Sequence, residues 1–190
     1  MLNDVLDQDR QAELEHRLLV DATKTSLCEL VGIAPRSAAE ILVEVGDVQR
    51  FSEAGFARHT GTAPIPATSG EGAGQPVRHR LSRGGNRRLN ATIHRMAMIQ
   101  LRFEPRARAL FENARNHAQS RREAMRILKR HLASVIYRTM LRDARANPRL
   151  TQELQGIKRL GFRNFENYCI PALLYAGKPN RRVLGSIVVR

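Results

Sequence analysis

The chain has 190 residues, 42% of them hydrophobic, enough for one compact domain or a small domain with extensions. Its 32 Lys and Arg against 18 Asp and Glu leave a net charge of +14, which excludes an ordinary neutral or acidic surface and points to a polyanionic partner. Two distant cysteines, Cys28 and Cys169, the absence of Trp, and no run approaching ~18 apolar residues exclude a disulfide scaffold, a Cys-rich zinc site, a base-stacking aromatic platform and a spanning helix.

The acidic opening MLNDVLDQDR lacks a basic segment followed by an apolar one, so neither insertion nor export is expected, and a reducing cytoplasm fits. A first helix is expected over about 9–23, with Leu14, Leu18 and Leu19 as a short apolar stripe that needs a partner. Between Ser26 and Val45, apolar residues at helical spacing flank Gly32-Ile33-Ala34-Pro35, which predicts two short helices joined by a tight turn. Gly32 can take the positive φ that ends one helix, and Pro35 suits the first turn of the next. The pair resembles a helix-hairpin-helix motif, whose turn offers backbone N–H groups to a phosphate. Ala34 replaces the motif's usual second glycine, and a plain αα-hairpin packing on its neighbours is the other reading of these residues.

Asp47 to Phe51 turns the chain, and Ser52 caps a short helix reaching about His59. Gly61 to Pro66 predicts an extended, exposed path, followed by a glycine-rich loop over 68–74. Residues 77–81 permit a short strand paired with 62–67 as a small β-hairpin. Gly84-Gly85 then breaks the chain before a helix over 86–103, with Leu89, Ile93, Met96 and Phe103 as its buried stripe. A helix restarts after Glu104-Pro105. Ser120 and Glu123 form a capping-box signature for a long helix over 121–145, its core stripe Met125, Leu128, Leu132, Val135, Ile136 and Leu141. Arg121, Arg122, Arg126, Lys129, Arg130 and Arg138 occupy much of its remaining surface, and Asn147-Pro148 ends it. The expected fold class is mainly α, with a helix-hairpin-helix-like segment, a small β-hairpin and a basic surface.

Charge is divided along the chain. Residues 1–76 hold six basic and twelve acidic residues, whereas residues 77–190 hold 26 basic and six acidic. Between Glu71 and Glu104, Arg78, Arg80, Arg83, Arg87, Arg88, Arg95 and Arg102 occur with no acidic residue among them. The guanidinium fork suits bidentate phosphate contact, against the plainer reading of a solvated basic face.

Chemistry is harder to place. The six histidines show no HExxH and no paired-ligand spacing, so they read as surface or phosphate-facing groups and no metal site is expected. No glycine-rich segment ends in Lys-Ser or Lys-Thr, which removes nucleotide hydrolysis. Ser69 precedes Gly70 and is followed by the Arg cluster, whose cations could stabilise a pentacovalent phosphate formed by serine attack. Ordinary turn chemistry accounts for Ser-Gly as well.

The ordered motifs LVGIAPRSAAEILVEVGDVQRF, HTGTAPIPATSG, RHRLSRGGNRRLN and SRREAMRILKRHLASVIYR resemble the C-terminal transposase domain of the IS110/IS116/IS902 group of bacterial insertion sequences. The resemblance covers about residues 26–145. It implies DNA transposition and recombination by a protein whose N-terminal RuvC-like domain supplies metal-binding carboxylates, followed by a coiled coil and a C-terminal domain carrying a serine nucleophile. Such proteins act on DNA under a structured guide RNA, as oligomers whose active sites join domains of different protomers. On this resemblance Ser69 is the catalytic serine, and Arg78, Arg80, Arg83, Asn86, Arg87 and Arg88 match the basic segment that contacts nucleic-acid backbone. Gly84 departs from the family, which often has a second Arg there, and its presence removes one phosphate contact.

Residues 1–25 are expected to be the end of the connecting helix, 26–146 the transposase domain, and 147–190 a tail. In that tail, KRLGFRNFENYCIPALLYAGKPN resembles the end of a DDE-type transposase of the IS-L-three group, with Phe162, Phe165 and Tyr168 left exposed. The chain is expected to lack the RuvC-like domain, to bind no cofactor itself, and to depend on a partner for the Mg²⁺ that domain implies. DNA is the expected partner, with guide RNA, a second copy of the chain or a full-length transposase as further ones, and no membrane. Two alternatives are a non-catalytic DNA- or RNA-binding regulator or subunit of a full-length transposase, and a basic RNA-binding or ribosome-associated protein, which leaves the motif order unexplained.

Overall fold

The computed structural model describes residues 2–66, 79–80, 84–117 and 120–148. The expected loop over 68–74 and the tail with Phe162, Phe165 and Tyr168 lie outside them. The described residues are mainly helical, with six α-helices: α1 Leu2–Thr23, α2 Pro35–Val45, α3 Glu53–His59, α4 Arg87–Phe103, α5 Pro105–His117 and α6 Arg121–Ala146. Two two-residue strands, β1 Ile65–Pro66 and β2 His79–Arg80, pair antiparallel, with Ile65 opposite Arg80 and Pro66 opposite His79.

Local chemistry sets most helix starts. Ser52 Oγ accepts from Gly55 N at 3.1 Å at the head of α3, and Ser120 Oγ accepts from Glu123 N at 3.3 Å at the head of α6. Asn86 Oδ1 does the same for α4, accepting from Leu89 N at 3.1 Å. α2 has Pro35 at its first position and Ala34 before it, with no side-chain cap.

One core joins these helices. Leu19 of α1, Ile41, Leu42 and Val45 of α2, Phe56 of α3, Leu89, Ile93 and Met96 of α4, Phe111 of α5, and Leu128, Leu132 and Ile136 of α6 are all buried in it. α1 packs on α2, α5 lies against both α4 and α6, and α3 rests on α6. Phe56 meets the Tyr137 ring at 5.4 Å, and Tyr137 Oη donates to Phe51 O at 2.8 Å, which pins α3 to the long helix.

Several sequence expectations are corrected. The first helix begins at Leu2, and of its stripe only Leu19 is buried, Leu14 and Leu18 remaining exposed. The first arm of the expected helical pair is a single 3₁₀ turn, Ser26–Glu29. It is held by Asp143 of α6, which accepts from Thr25 Oγ1, Ser26 N and Ser26 Oγ at 2.9, 2.8 and 2.6 Å. Gly61 and Thr62 are buried beneath α4, contrary to the exposed path that the Pro-rich segment suggests. Phe103 is 70% exposed because α4 ends beside it and the chain turns into α5, and Val135 also faces outward.

Candidate nucleic-acid interface

Two carboxylates of α2 fix it antiparallel to α4. Glu40 Oε2 accepts from Thr92 Oγ1 at 2.5 Å and from Arg95 Nη2 at 3.0 Å, and one turn later Glu44 Oε2 accepts from Asn86 Nδ2 at 2.6 Å. Gly32, with φ +89°, lies at the other end of the pair, where a Cβ would meet Met96 O at 3.2 Å and Ile99 Cβ at 3.3 Å. Gln100 Nε2 donates to Val31 O at 2.9 Å and closes the turn onto α4. Gly32 therefore has its positive φ as expected, and the backbone it approaches closely is that of α4.

The residues expected to touch nucleic acid thus fall at two places. Asn86, Arg87 and Arg88 form the head of α4, while Gly32 sits against Met96 and Ile99, about 15 Å further along the same helix at 1.5 Å per residue, with Ala34 two residues on at the start of α2. One phosphate cannot reach both. Ser69, Arg78 and Arg83 lie outside the described residues, and Arg80 is placed through its backbone pairing with Ile65.

Two arginines of the run, Arg88 and Arg95, meet carboxylates in space that the sequence places far from them. Arg88 Nη1 stands 3.6 Å from Glu44 Oε1, and Arg95 pairs with Glu40. Both carboxylates come from α2, spaced one helical turn apart beside the buried Ile41 and Val45. That i, i+4 acidic pair is the signal the sequence carries, and it lies more than 40 residues away from the arginines it serves. Arg87 is exposed at the first position of α4, and no ion pair to it occurs among the described residues.

Asn86 is engaged on both ends of its amide, as the cap of α4 and as a donor to Glu44. Its backbone N–H donates to His59 O at 2.7 Å. These bonds aim the following arginines outward.

A packed polar joint lies where Thr60 and Gly61 meet Gly85 and Asn90. Gly85 sits against Gly61, where a Cβ on Gly85 would lie 2.3 Å from the Gly61 nitrogen, whereas a Cβ on Gly84 would meet nothing within 4 Å. Asn90 Nδ2 donates to Thr60 O at 2.9 Å and to Gly61 O at 3.1 Å, while its Oδ1 accepts from Lys129 Nζ at 2.6 Å. Lys129 is buried, 8% exposed, against the expectation of a surface cation, and burial pushes its ammonium pKa down.

The histidines divide. His94, His117 and His131 are exposed, but His59 is partly buried and stacks on Phe51 at 4.9 Å. His16 lies between α1 and α2, where burial first and Arg36 second hold its pKa down. Among the described residues no three His, Cys, Asp or Glu side chains converge to hold a metal ion. No described helix is long and apolar enough to cross a membrane.

Residues 24–112 match the family described as "Transposase IS116/IS110/IS902 family". That span contains every residue assigned above to catalysis or to nucleic acid. The chain is 32% identical over 148 residues to an uncharacterised 43.6 kDa protein of insertion element IS110 from Streptomyces coelicolor, covering 75% of this chain and 35% of that protein. It is 29% identical over 139 residues to an uncharacterised 44.8 kDa protein of insertion element IS116 from Streptomyces clavuligerus, covering 73% of this chain and 34% of that protein. The chain spans about a third of the length of these relatives.

Proposed function

We propose that this chain is a nucleic-acid-binding part of a transposase of the IS116/IS110/IS902 family, with Ser69 as the nucleophile for DNA strand exchange. The observation that carries the proposal is the family match over residues 24–112, which takes in both the Ser69 motif and the arginine segment. The solvent-facing Arg87 at a helix head supports it, since that position adds a guanidinium to the positive end of the helix dipole.

In this reading Arg78, Arg80, Arg83, Arg87 and Arg88 hold backbone phosphates of DNA or of a guide RNA, and Asn86 positions the last two. Gly32 and Ala34 serve a separate phosphate through the uncapped N–H groups that open α2. Ser69 Oγ attacks phosphorus, forming a P–O bond as the bond to a sugar oxygen breaks. The serine proton passes to a base and the leaving oxygen takes one up, while arginine cations stabilise the charge that develops on phosphorus. The phosphoserine keeps a diester linkage, so a hydroxyl from a second strand can resolve it without further energy input. Metal-binding carboxylates belong to a further domain or a partner protomer.

The test mixes the chain, or its Ser69→Ala variant, with a full-length relative whose own motif serine is replaced by Ala and with element-end DNA, and follows strand transfer. Loss of transfer with binding retained is the expected result. Equal transfer by both proteins would assign the chain to a non-catalytic regulatory role instead.

A further inference from the structure

The C-terminal ends of α4 and α6 lie at the same end of the bundle. Gln100, near the end of α4, donates to Val31 O, and Asp143 and Arg142, near the end of α6, bond to Ser26 of the same short segment. At that end an apolar patch faces outward. Ile99 and Phe103 stand one turn apart on α4, 39% and 70% exposed. Val31, 41% exposed, lies beside them, since a Cβ on its neighbour Gly32 would meet Ile99 Cβ at 3.3 Å. One exposed apolar side chain is ordinary, but three that adjoin on two elements mark a surface that something covers.

The sequence itself supplies a segment that needs such a surface. Past Pro148, where the described residues end, it continues from 149 to 190 and includes Tyr168-Cys169-Ile170-Pro171-Ala172-Leu173-Leu174-Tyr175, a stretch with no charged residue. An apolar run of this length is costly to leave in water. It is also within reach of the patch. Pro148 follows Asp143 by five residues and Val31 follows Ser26 by five, so Pro148 stands no more than about 30 Å from Val31. The residues between Pro148 and Tyr168 can span up to about 66 Å when extended. Charge favours the same pairing: Glu29, two residues before Val31, and Glu104, next to Phe103, set carboxylates at the rim beside Arg102. Residues 149–190 carry eight basic and two acidic residues, with Lys178, Arg181 and Arg182 just past the apolar run.

We propose that residues 168–175 of this same chain dock on the patch formed by Val31, Ile99 and Phe103 and cover that end of the bundle. The proposal is independent of what the arginines bind.

Cys169 lies inside the docking run, which allows a test in the full chain by disulfide trapping. Cys28→Ser removes the other thiol, and one new cysteine is then placed at either of two exposed positions of α4. Arg102→Cys adjoins the patch and leaves its three apolar residues intact, whereas Ala91→Cys lies about 16 Å back along the helix. Both variants should melt like their Cys28→Ser parent, because neither position is buried. Mild oxidation is followed by non-reducing electrophoresis and peptide mass, which score the bridge to Cys169 within one chain. Docking raises the local thiol concentration beside the patch, so bridging at 102 should be roughly tenfold or more faster than at 91. Adding Leu173→Ser with Leu174→Ser should bring the two rates together. Equal rates without those serines would overturn the proposal. Bridging at 102 between chains rather than within one would overturn it as well, and would assign the patch to a second copy.

Discussion

Gly85 packs so closely on Gly61 that a Cβ added at Gly85 would stand 2.4 Å from the Gly61 Cα, and Asn86 N donates to His59 O immediately beside that contact. Backbone meets backbone here because neither residue has a side chain, and the joint ties the end of α3 to the head of α4. Gly85→Ala should therefore destabilise the protein by about 2–3 kcal/mol or more through overpacking against backbone that cannot yield. Gly84→Ala, with open space around it, should change stability by less than about 0.5 kcal/mol. Paired denaturant titrations of the two variants check the contrast.

Asp143 serves the 3₁₀ turn from 117 residues away, accepting from Ser26 N and Ser26 Oγ. Removing it leaves those donors and Thr25 Oγ1 without their acceptor. Asp143→Ala should cost roughly 2–4 kcal/mol, since hydrogen bonds to a charged group contribute more than neutral ones. Asp143→Asn, which keeps one carbonyl oxygen, should cost less, and urea midpoints rank the two.

The depressed pKa of His16 makes α1 acid-sensitive. Burial and Arg36 lower it, against weaker opposing contributions from Glu15 and Glu40. The folded state then binds fewer protons than the unfolded chain, so stability falls as pH drops from about 6.5 through the lower folded value. His16→Gln should remove that part of the slope in melting temperatures collected between pH 7 and pH 4.

Lys129 titrates in the opposite range. Burial lowers its pKa, so the unfolded chain holds the proton to higher pH than the folded one, and stability rises with pH between the depressed value and the ordinary lysine value of about 10.4. Lys129→Gln, which retains a donor for Asn90 Oδ1, should lose that rise. Measurement of unfolding free energy from pH 8 to 10 compares the two.

Helix positions are largely legible in the sequence, because caps such as Ser52 and Ser120 and the 3.6-residue stripe of Leu128, Leu132 and Ile136 are local signals. What stays hidden depends on residues distant along the chain. Glu40 and Glu44 neutralise Arg95 and Arg88 across a helix interface, Asp143 replaces a helical turn with a carboxylate clasp, and Asn90 draws Lys129 inside. The reason for Gly85 lies in Gly61, which no pattern within the Gly84-Gly85 pair reveals. The arginine segment is conspicuous in the sequence, but that Arg88 and Arg95 are paired while Arg87 is exposed requires the fold.

The most direct test of the account is the affinity of the chain for element-end duplex DNA and for a scrambled duplex, over a salt series, with Arg87→Ala/Arg88→Ala alongside. The account predicts preference for the element end, log K falling linearly with log salt, and a slope reduced by about one unit for each phosphate the variant no longer holds. Equal binding of both duplexes with the slope unchanged in the variant would contradict it.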